Sequence, residues 1–296
     1  MHHGMKVGIY GQTNNETTIK YTEYLIEILQ ERKIDFFLEK NFSEGFEDVS
    51  GTGYRTFDGY EELDKSFDVF FTVGGDGTFL RSVTLVRDLE IPIIGINTGR
   101  LGFLATVPKE NIEVAVEQIC KKEYRIGKRS LLSVRSSDEN QDFGGLNFAL
   151  NEVSVSRKNT ASMIKVDTYL DKEFLTTYWS DGLIVSTATG STGYSMSCGG
   201  PIVSPNSKSL ALTPIAPHSL AVRPLVIPEK TKIELNIDSR VDEVLLTLDS
   251  RMYTIGNKSR VFIERAKFSV RTIHLKNQTF IKTLREKLLW GEDKRN

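Results

Sequence analysis

The chain has 296 residues, 38 of them basic and 39 acidic, for a formal net charge of -1. That balance argues against a nucleic-acid or membrane surface held by charge, and the length supports a large core split most naturally into two domains. Two cysteines without paired spacing, Cys120 and Cys198, exclude a cysteine-rich zinc site and fit a reduced compartment. With no apolar run near the roughly 18 residues of a membrane span and no basic-then-apolar leader, a cytoplasmic enzyme is expected.

In chain order, Lys6 to Tyr10 reads as a first strand and Glu16 to Lys33 as an amphipathic helix, with Ile19, Leu25, Ile26, Ile28 and Leu29 at nearly helical spacing. Asp35 to Glu39 is a short second strand. Asn41 to Tyr60, with four glycines, is expected to be a long surface loop. Asp68 to Val73 and Ile91 to Ile96 are apolar, β-branched and aromatic runs ended by glycines or polar turns, the pattern of strands buried on both faces. The span between them, Phe79 to Arg87, is predicted helical, which completes a βαβ unit.

Chemistry in such a unit belongs at the carboxyl ends of the strands, where Gly74-Gly75-Asp76-Gly77-Thr78 and Asn97-Thr98-Gly99-Arg100-Leu101-Gly102-Phe103 fall. Glycines around one carboxylate let backbone N–H groups face a phosphate while Asp76 stays exposed, and Thr78 is placed to cap the following helix. A tight turn with a capping Asp has the same composition. A third helix is expected from Pro108 to Glu123.

From Tyr124 the period changes to two. Leu131 to Arg135, Phe148 to Ser156, Ile164 to Leu170, Phe174 to Tyr178, Leu183 to Ser186, Ser209 to Pro214, Lys232 to Ile237, Val244 to Leu248 and Ser259 to Val270 read as short strands of a β-sandwich or similar all-β domain. Thr279 to Trp290 is helical again, with an apolar face that must be buried.

Two stretches of the β half carry polar residues that strands do not require. Asn151-Glu152 pairs a planar donor and acceptor, suited to an adenine edge, with a carboxylate suited to ribose hydroxyls; a pair at a strand bulge fits equally. Asp181 to Val203 packs five hydroxyl residues and one glycine between Ser186 and Thr192, followed by Tyr194. Such a loop can be a solvated turn, or can offer hydroxyl and backbone donors to phosphates and sugars beside a flat aromatic face.

The Gly74 to Thr78 loop resembles the signature loop of the NAD kinases, which share it with diacylglycerol and sphingosine kinases and, more distantly, 6-phosphofructokinases. Asn97 to Phe103, Asp181 to Val203, Thr213 to Leu220 and Arg223 to Val226 extend the resemblance to NAD kinases specifically, from about Met5 to Trp290. Departures are Ala188 where the family has Pro, Gly193 and Cys198 where it has Ala, and Ser250 after Asp249 where it has Gly. The last puts a positive-φ turn in doubt.

The resemblance implies a Rossmann-like parallel α/β domain (1–125 plus 275–296, the last helix returning to it) and an all-β NAD-binding domain (126–274). It implies phosphoryl transfer from ATP, another nucleoside triphosphate or polyphosphate, with Mg²⁺ or another divalent cation, to the 2′-hydroxyl of the adenosine ribose of NAD. Asp76 would be the catalytic carboxylate, with Gly77 and Phe103 bordering its pocket. Asn151 and Thr189 would contact adenine and Glu152 the ribose. Thr192, Gly193, Tyr194 and Ser197 would line the nucleotide, while Asp181 and Ala216 would hold the nicotinamide end. The family's counterpart of Asp181 reaches a neighbouring subunit, which implies a homodimer or homotetramer. Arg100 and Arg223 are candidates for the donor's phosphates. A lipid kinase of the same superfamily and a non-catalytic NAD(P) sensor are the alternatives.

Overall fold

The computed structural model describes residues 4–13, 15–46, 54–138, 141–158, 162–276 and 278–289. Two units divide it, Met1–Lys128 with Val270–Asn296, and Arg129–Ser269. No helix among the described residues is long and apolar enough to cross a membrane.

The first unit is a parallel sheet covered by helices. Its elements are β1 (Lys6–Tyr10), α1 (Glu16–Glu31), β2 (Asp35–Glu39), α2 (Lys40–Ser43), β3 (Thr56–Phe57), β4 (Val69–Gly74), α3 (Asp76–Val86), β5 (Ile93–Asn97), β6 (Val107–Pro108) and α4 (Ile112–Cys120). The strands lie in the order β3-β2-β1-β4-β5, all parallel, with β6 beside β5. The order reverses at β1, and in open α/β sheets that switch point is where ligands bind, beyond the carboxyl ends. α1 starts where Asn15 Oδ1 accepts the Thr17 and Thr18 N–H groups, and buries Thr18, Thr22, Leu25, Ile26, Ile28 and Leu29.

Several boundaries differ from expectation. Helix α3 begins at Asp76, three residues before Phe79, and its N-cap is Gly75 with no side-chain cap. Thr78 therefore does not cap it. Its hydroxyl is buried where a side chain on Gly74 (φ +152°) would lie. The helix expected from Pro108 is a 3-10 turn, Lys109–Asn111, before α4. Within the 41–60 stretch, α2 and β3 break the surface loop, while residues 47–53 lie outside those described.

The second unit is a β-sandwich. It uses β7 (Tyr124–Ser136), β8 (Phe148–Ala149), β9 (Glu152–Arg157), β10 (Ile164–Leu170), β11 (Glu173–Ser180), β12 (Gly182–Thr187), α5 (Tyr194–Ser197), β13 (Ser209–Ile215), β14 (Leu225–Pro228), β15 (Ile233–Asp238), β16 (Glu243–Leu248), β17 (Arg251–Gly256) and β18 (Arg260–Leu275). One sheet runs β14-β13-β12-β9-β16-β17, and the other carries β11-β10-β15-β18. Their inner faces share one core, with Val153, Val155, Leu183, Val185 and Leu246 from the first sheet against Val166, Leu235, Ile237 and Ile263 from the second. The alternation of apolar and polar residues is the cause, since it puts one side of every strand inward.

Strand β18 runs past Val270 to Leu275, and Thr272 pairs in parallel with Ile93 of β5 in the first unit. The closing helix α6 (Phe280–Leu288) also belongs to the first unit. Its N-cap Thr279 accepts the Lys282 N–H, and the preceding Gln278 is tied to Thr106 at two points. Trp290 lies outside the described residues.

Candidate active site

In the first unit, the loops after β4 and β5 meet at Asp76. The carboxylate is half-buried, not exposed as expected. Its Oδ2 accepts the Phe103 N–H at 2.8 Å, and its Oδ1 those of Leu104 at 3.0 Å and Ala105 at 2.9 Å. Gly77 follows on the exposed first turn of α3. The Phe103 ring sits 6.3 Å from that of Phe280 in α6, with Lys287 Nζ 5.1 Å from its centre. Asp76, Gly77 and Phe103 thus form one cluster.

At the carboxyl ends of β1 and β2 of the same unit is a cavity of about 460 Å³ lined by Tyr10, Gly11, Gln12, Thr13, Glu39 and Arg81, among others. The Tyr10 hydroxyl is pushed up chiefly by burial, against a hydrogen bond with Arg81. Arg100 is exposed, and the Arg223 guanidinium is taken up by the Leu220 and Val222 carbonyls.

In the second unit, what was read as one strand from Phe148 to Ser156 is broken at Leu150 and Asn151. Asp249, at the turn between β16 and β17, holds the break. Its carboxylate accepts the N–H groups of Leu150, Asn151 and Glu152, and its own N–H donates to the Glu152 carbonyl. The positive φ of that turn, 52°, is at Asp249 itself. Ser250 is not in the left-handed region, so the missing glycine costs nothing there.

The hydroxyl loop folds onto this break. Thr187 N–H donates to the Asn151 carbonyl and its hydroxyl to that of Leu150, while Gly190 N–H donates to Thr187 Oγ1. Gly190 packs so closely on Asn151 that a Cβ there would overlap the Asn151 carbonyl. Thr192 Oγ1 donates to the Thr189 carbonyl, and a Cβ on Gly193 would lie 2.9 Å from Glu152 Oε2. The Tyr194 N–H faces the Glu152 carboxyl and favours its charged form. Thr189 is buried, Tyr194 is 46% exposed, and Ser197 is exposed at the end of α5.

Two buried oxygens of this cluster, Asn151 Oδ1 and Glu152 Oε2, have no hydrogen-bond partner. A buried polar atom without a partner costs about 1–3 kcal/mol, so these atoms mark where a ligand's donors would go. Burial first, and the Asp249 charge second, push the Glu152 carboxyl up to about 8, against the Tyr194 N–H, which lowers it.

Asp181 and Ala216 face each other at the other end of β12, where the Asp181 N–H donates to the Ile215 carbonyl. Asp181 is engaged within the chain, its Oδ2 lying 2.8 Å from Arg157. Ala216 is exposed with φ +43°. The α5 turn packs back against this sheet, with Ser195 Oγ 2.8 Å from Thr213 Oγ1 of β13. Burial chiefly raises the Tyr194 hydroxyl, followed by Cys198 and then the Asp181 charge.

Two family models match, the ATP-NAD kinase N-terminal domain over residues 7–124 and the ATP-NAD kinase C-terminal domain over residues 150–275. An NAD kinase of Christiangramia forsetii is 49% identical over 99% of this chain and 100% of its own length.

The chain belongs to the NAD kinase family.

Within this family, an NAD kinase of Bacteroides fragilis is 37% identical over 98% of this chain and 100% of its own. The fold is similar to that of an Archaeoglobus fulgidus NAD kinase in complex with ATP, with a TM-score of 0.73 and 28% identity, covering 95% of this chain and 99% of that one. It is also similar to yeast NADH kinase complexed with NADH, with a TM-score of 0.84 at 23% identity, covering 98% and 89%.

For this NAD kinase family chain, sequence reading missed Gly102, the 103–105 backbone, Asp249 as an organiser of Asn151-Glu152, and the closeness of Gly190. Gly102 and Gly190 stand inside the motifs themselves, so the signal was the repeated glycine without an assigned reason.

Proposed function

We propose that this chain is an NAD kinase that transfers the terminal phosphoryl of ATP, or of another nucleoside triphosphate or polyphosphate, to the 2′-hydroxyl of the adenosine ribose of NAD. The observation that carries the reading is the buried, partnerless pair Asn151 Oδ1 and Glu152 Oε2. A ligand presenting an adenine amino group and ribose hydroxyls supplies the donors these acceptors lack.

In this reading Asn151 and Thr189 contact adenine and Glu152 a ribose hydroxyl. Thr192, Gly193, Tyr194 and Ser197 line the dinucleotide, and Asp181 with Ala216 holds its nicotinamide end. Gly77 and Phe103 border the reacting ribose, whose 2′-hydroxyl hydrogen-bonds to Asp76. The oxygen of that hydroxyl attacks the terminal phosphorus as the bond to the bridging oxygen breaks, and the proton passes toward Asp76. The transition state is loose, so holding the groups in line matters more than early deprotonation.

The donor's place is the cavity at the β1 switch point, where Arg81 is the lining cation. Mg²⁺ would come in with the donor and would supply charge neutralisation of its phosphates. Among the described residues no group of three or more His, Cys, Asp or Glu side chains could hold a metal. We further propose a cytoplasmic homodimer or homotetramer in which Asp181 acts toward a neighbouring copy, with residues 1–125 and 275–296 carrying the donor and 126–274 the NAD.

The test is a coupled assay with NAD, ATP and Mg²⁺ that detects NADP through an NADP-specific dehydrogenase, with polyphosphate and diacylglycerol run in parallel. NADP formation that is lost in Asp76→Asn supports the proposal. Phosphatidate production, or tight NAD binding without turnover, would replace it with the lipid-kinase or sensor reading.

A further inference from the structure

An ionised carboxylate offers about four lone-pair positions, and in Asp76 the backbone takes three of them. Oδ1 accepts from Leu104 and Ala105, and Oδ2 from Phe103, at 2.8 to 3.0 Å. One position, on Oδ2, remains open. Successive N–H groups converging on one anion form a concave nest, a rigid arrangement of fixed dipoles.

The nest closes only because residue 102 has no side chain. A Cβ on Gly102 would overlap Asp76 Oδ1 and lie 2.6 Å from its Cγ. The loop is braced from behind, since the Gly102 N–H and Asn97 Nδ2 both donate to the Ala105 carbonyl at 3.3 Å. Gly99 N–H in turn donates to Asn97 Oδ1 at 2.8 Å.

We propose that Gly102 and the 103–105 backbone are the positioning element of the phosphoryl-transfer site, fixing the Asp76 carboxylate so that a single lone pair of Oδ2 receives the acceptor hydroxyl. This rests on the reading of Asp76 as the carboxylate at that hydroxyl. With one position left, Asp76 orients one hydroxyl and has no second oxygen position for bidentate chelation of a cation. Preorganisation of this kind spares the reaction the cost of turning the carboxylate at the moment of transfer.

The experiment is a double-mutant cycle on the full chain, with kcat and KM for NAD measured separately. Gly102→Ala is expected to lower kcat at least about 100-fold with KM for NAD within about 3-fold, the signature of a group acting only in the transition state. In the Asp76→Asn background the same change is expected to add no further loss. Near-normal kcat in Gly102→Ala overturns the proposal, as do losses that multiply in the double variant. Near-normal kcat in Asp76→Asn overturns the reading of Asp76 instead, so the two failures are distinct.

Should Gly102→Ala not fold, Asp76→Glu takes its place. It keeps the charge but carries the carboxylate one methylene past the three donors, so kcat should fall as far as in Asp76→Asn, and a retained kcat overturns the proposal. Amide exchange supplies a structural readout: Leu104 and Ala105 should exchange slowly in the wild type and faster in Asp76→Ala. Unchanged exchange overturns it.

Discussion

Asp249 and Glu152 are bound to each other through the backbone: Asp249 Oδ1 accepts the Glu152 N–H at 3.2 Å, and the Asp249 N–H donates to the Glu152 carbonyl at 2.9 Å. Two acidic side chains are thereby held close in a buried place, and burial raises both.

That relationship sets a pH dependence. Unfolded Glu152 loses its proton near 4.5, and the folded one near 8. Between these values the unfolded chain binds fewer protons, so stability is full below the lower value and is lost as pH rises through the upper one. Buried Asp249 shifts in the same direction. The Tm of the ligand-free protein should fall across this window, and Glu152→Gln should flatten the fall. An unchanged slope in the variant would refute the assignment. Because a hydroxyl donor favours the ionised carboxylate, NAD binding near neutral pH should release protons, read by calorimetry in buffers of different ionisation enthalpy.

Asp76→Asn replaces one acceptor oxygen by an NH₂ group that must face backbone donors at 2.8 to 3.0 Å. Turnover should drop roughly 10²- to 10⁴-fold, the usual worth of a positioned proton acceptor. NAD affinity, measured by calorimetry, should change little, because the binding groups proposed for the dinucleotide lie mainly in the β-sandwich.

Gly190→Ala should be far costlier than an ordinary exposed glycine change. The added Cβ would overlap backbone of Asn151, which cannot swing aside as a side-chain tip could. A loss of about 1–3 kcal/mol is expected from overpacking, read as a lower midpoint in urea unfolding. KM for NAD should rise with it, since Asn151 moves.

Asp181 pairs with Arg157 at 2.8 Å on a partly exposed surface. Such a pair is worth about 0–1 kcal/mol, so Asp181→Ala should leave Tm nearly unchanged while raising KM for NAD. If Asp181 serves a neighbouring copy, co-expressed Asp181→Ala and Asp76→Asn chains should regain the low KM for NAD that Asp181→Ala alone lacks, in sites that combine an intact Asp76 with the other chain's Asp181. Absence of any recovery would confine Asp181 to its own chain.

Local pattern carried much of this protein. The runs Asp68 to Val73 and Ile91 to Ile96, observed as strands at Val69–Gly74 and Ile93–Asn97, were legible as buried strands because apolar, β-branched and aromatic residues predominate in them. The alternation after Tyr124 announced the sandwich for the same kind of reason. The family was legible in Gly74 to Thr78 together with Asp181 to Val203, since either loop alone has the composition of a turn but the two motifs together match the NAD kinases.

Long-range closeness was not legible. Thr78 had the composition of a cap, yet packs into the space left by Gly74 because α3 starts three residues earlier. The break at Leu150 and Asn151 depends on Asp249, about 100 residues away, whose carboxylate substitutes for the missing strand partners. Sequence alone determined which residues could do chemistry here, because residue type and spacing set propensity and functional groups. Only the tertiary structure decided how Asp76 is held and why Glu152 keeps its proton, because hydrogen-bond satisfaction and desolvation are properties of what surrounds a group.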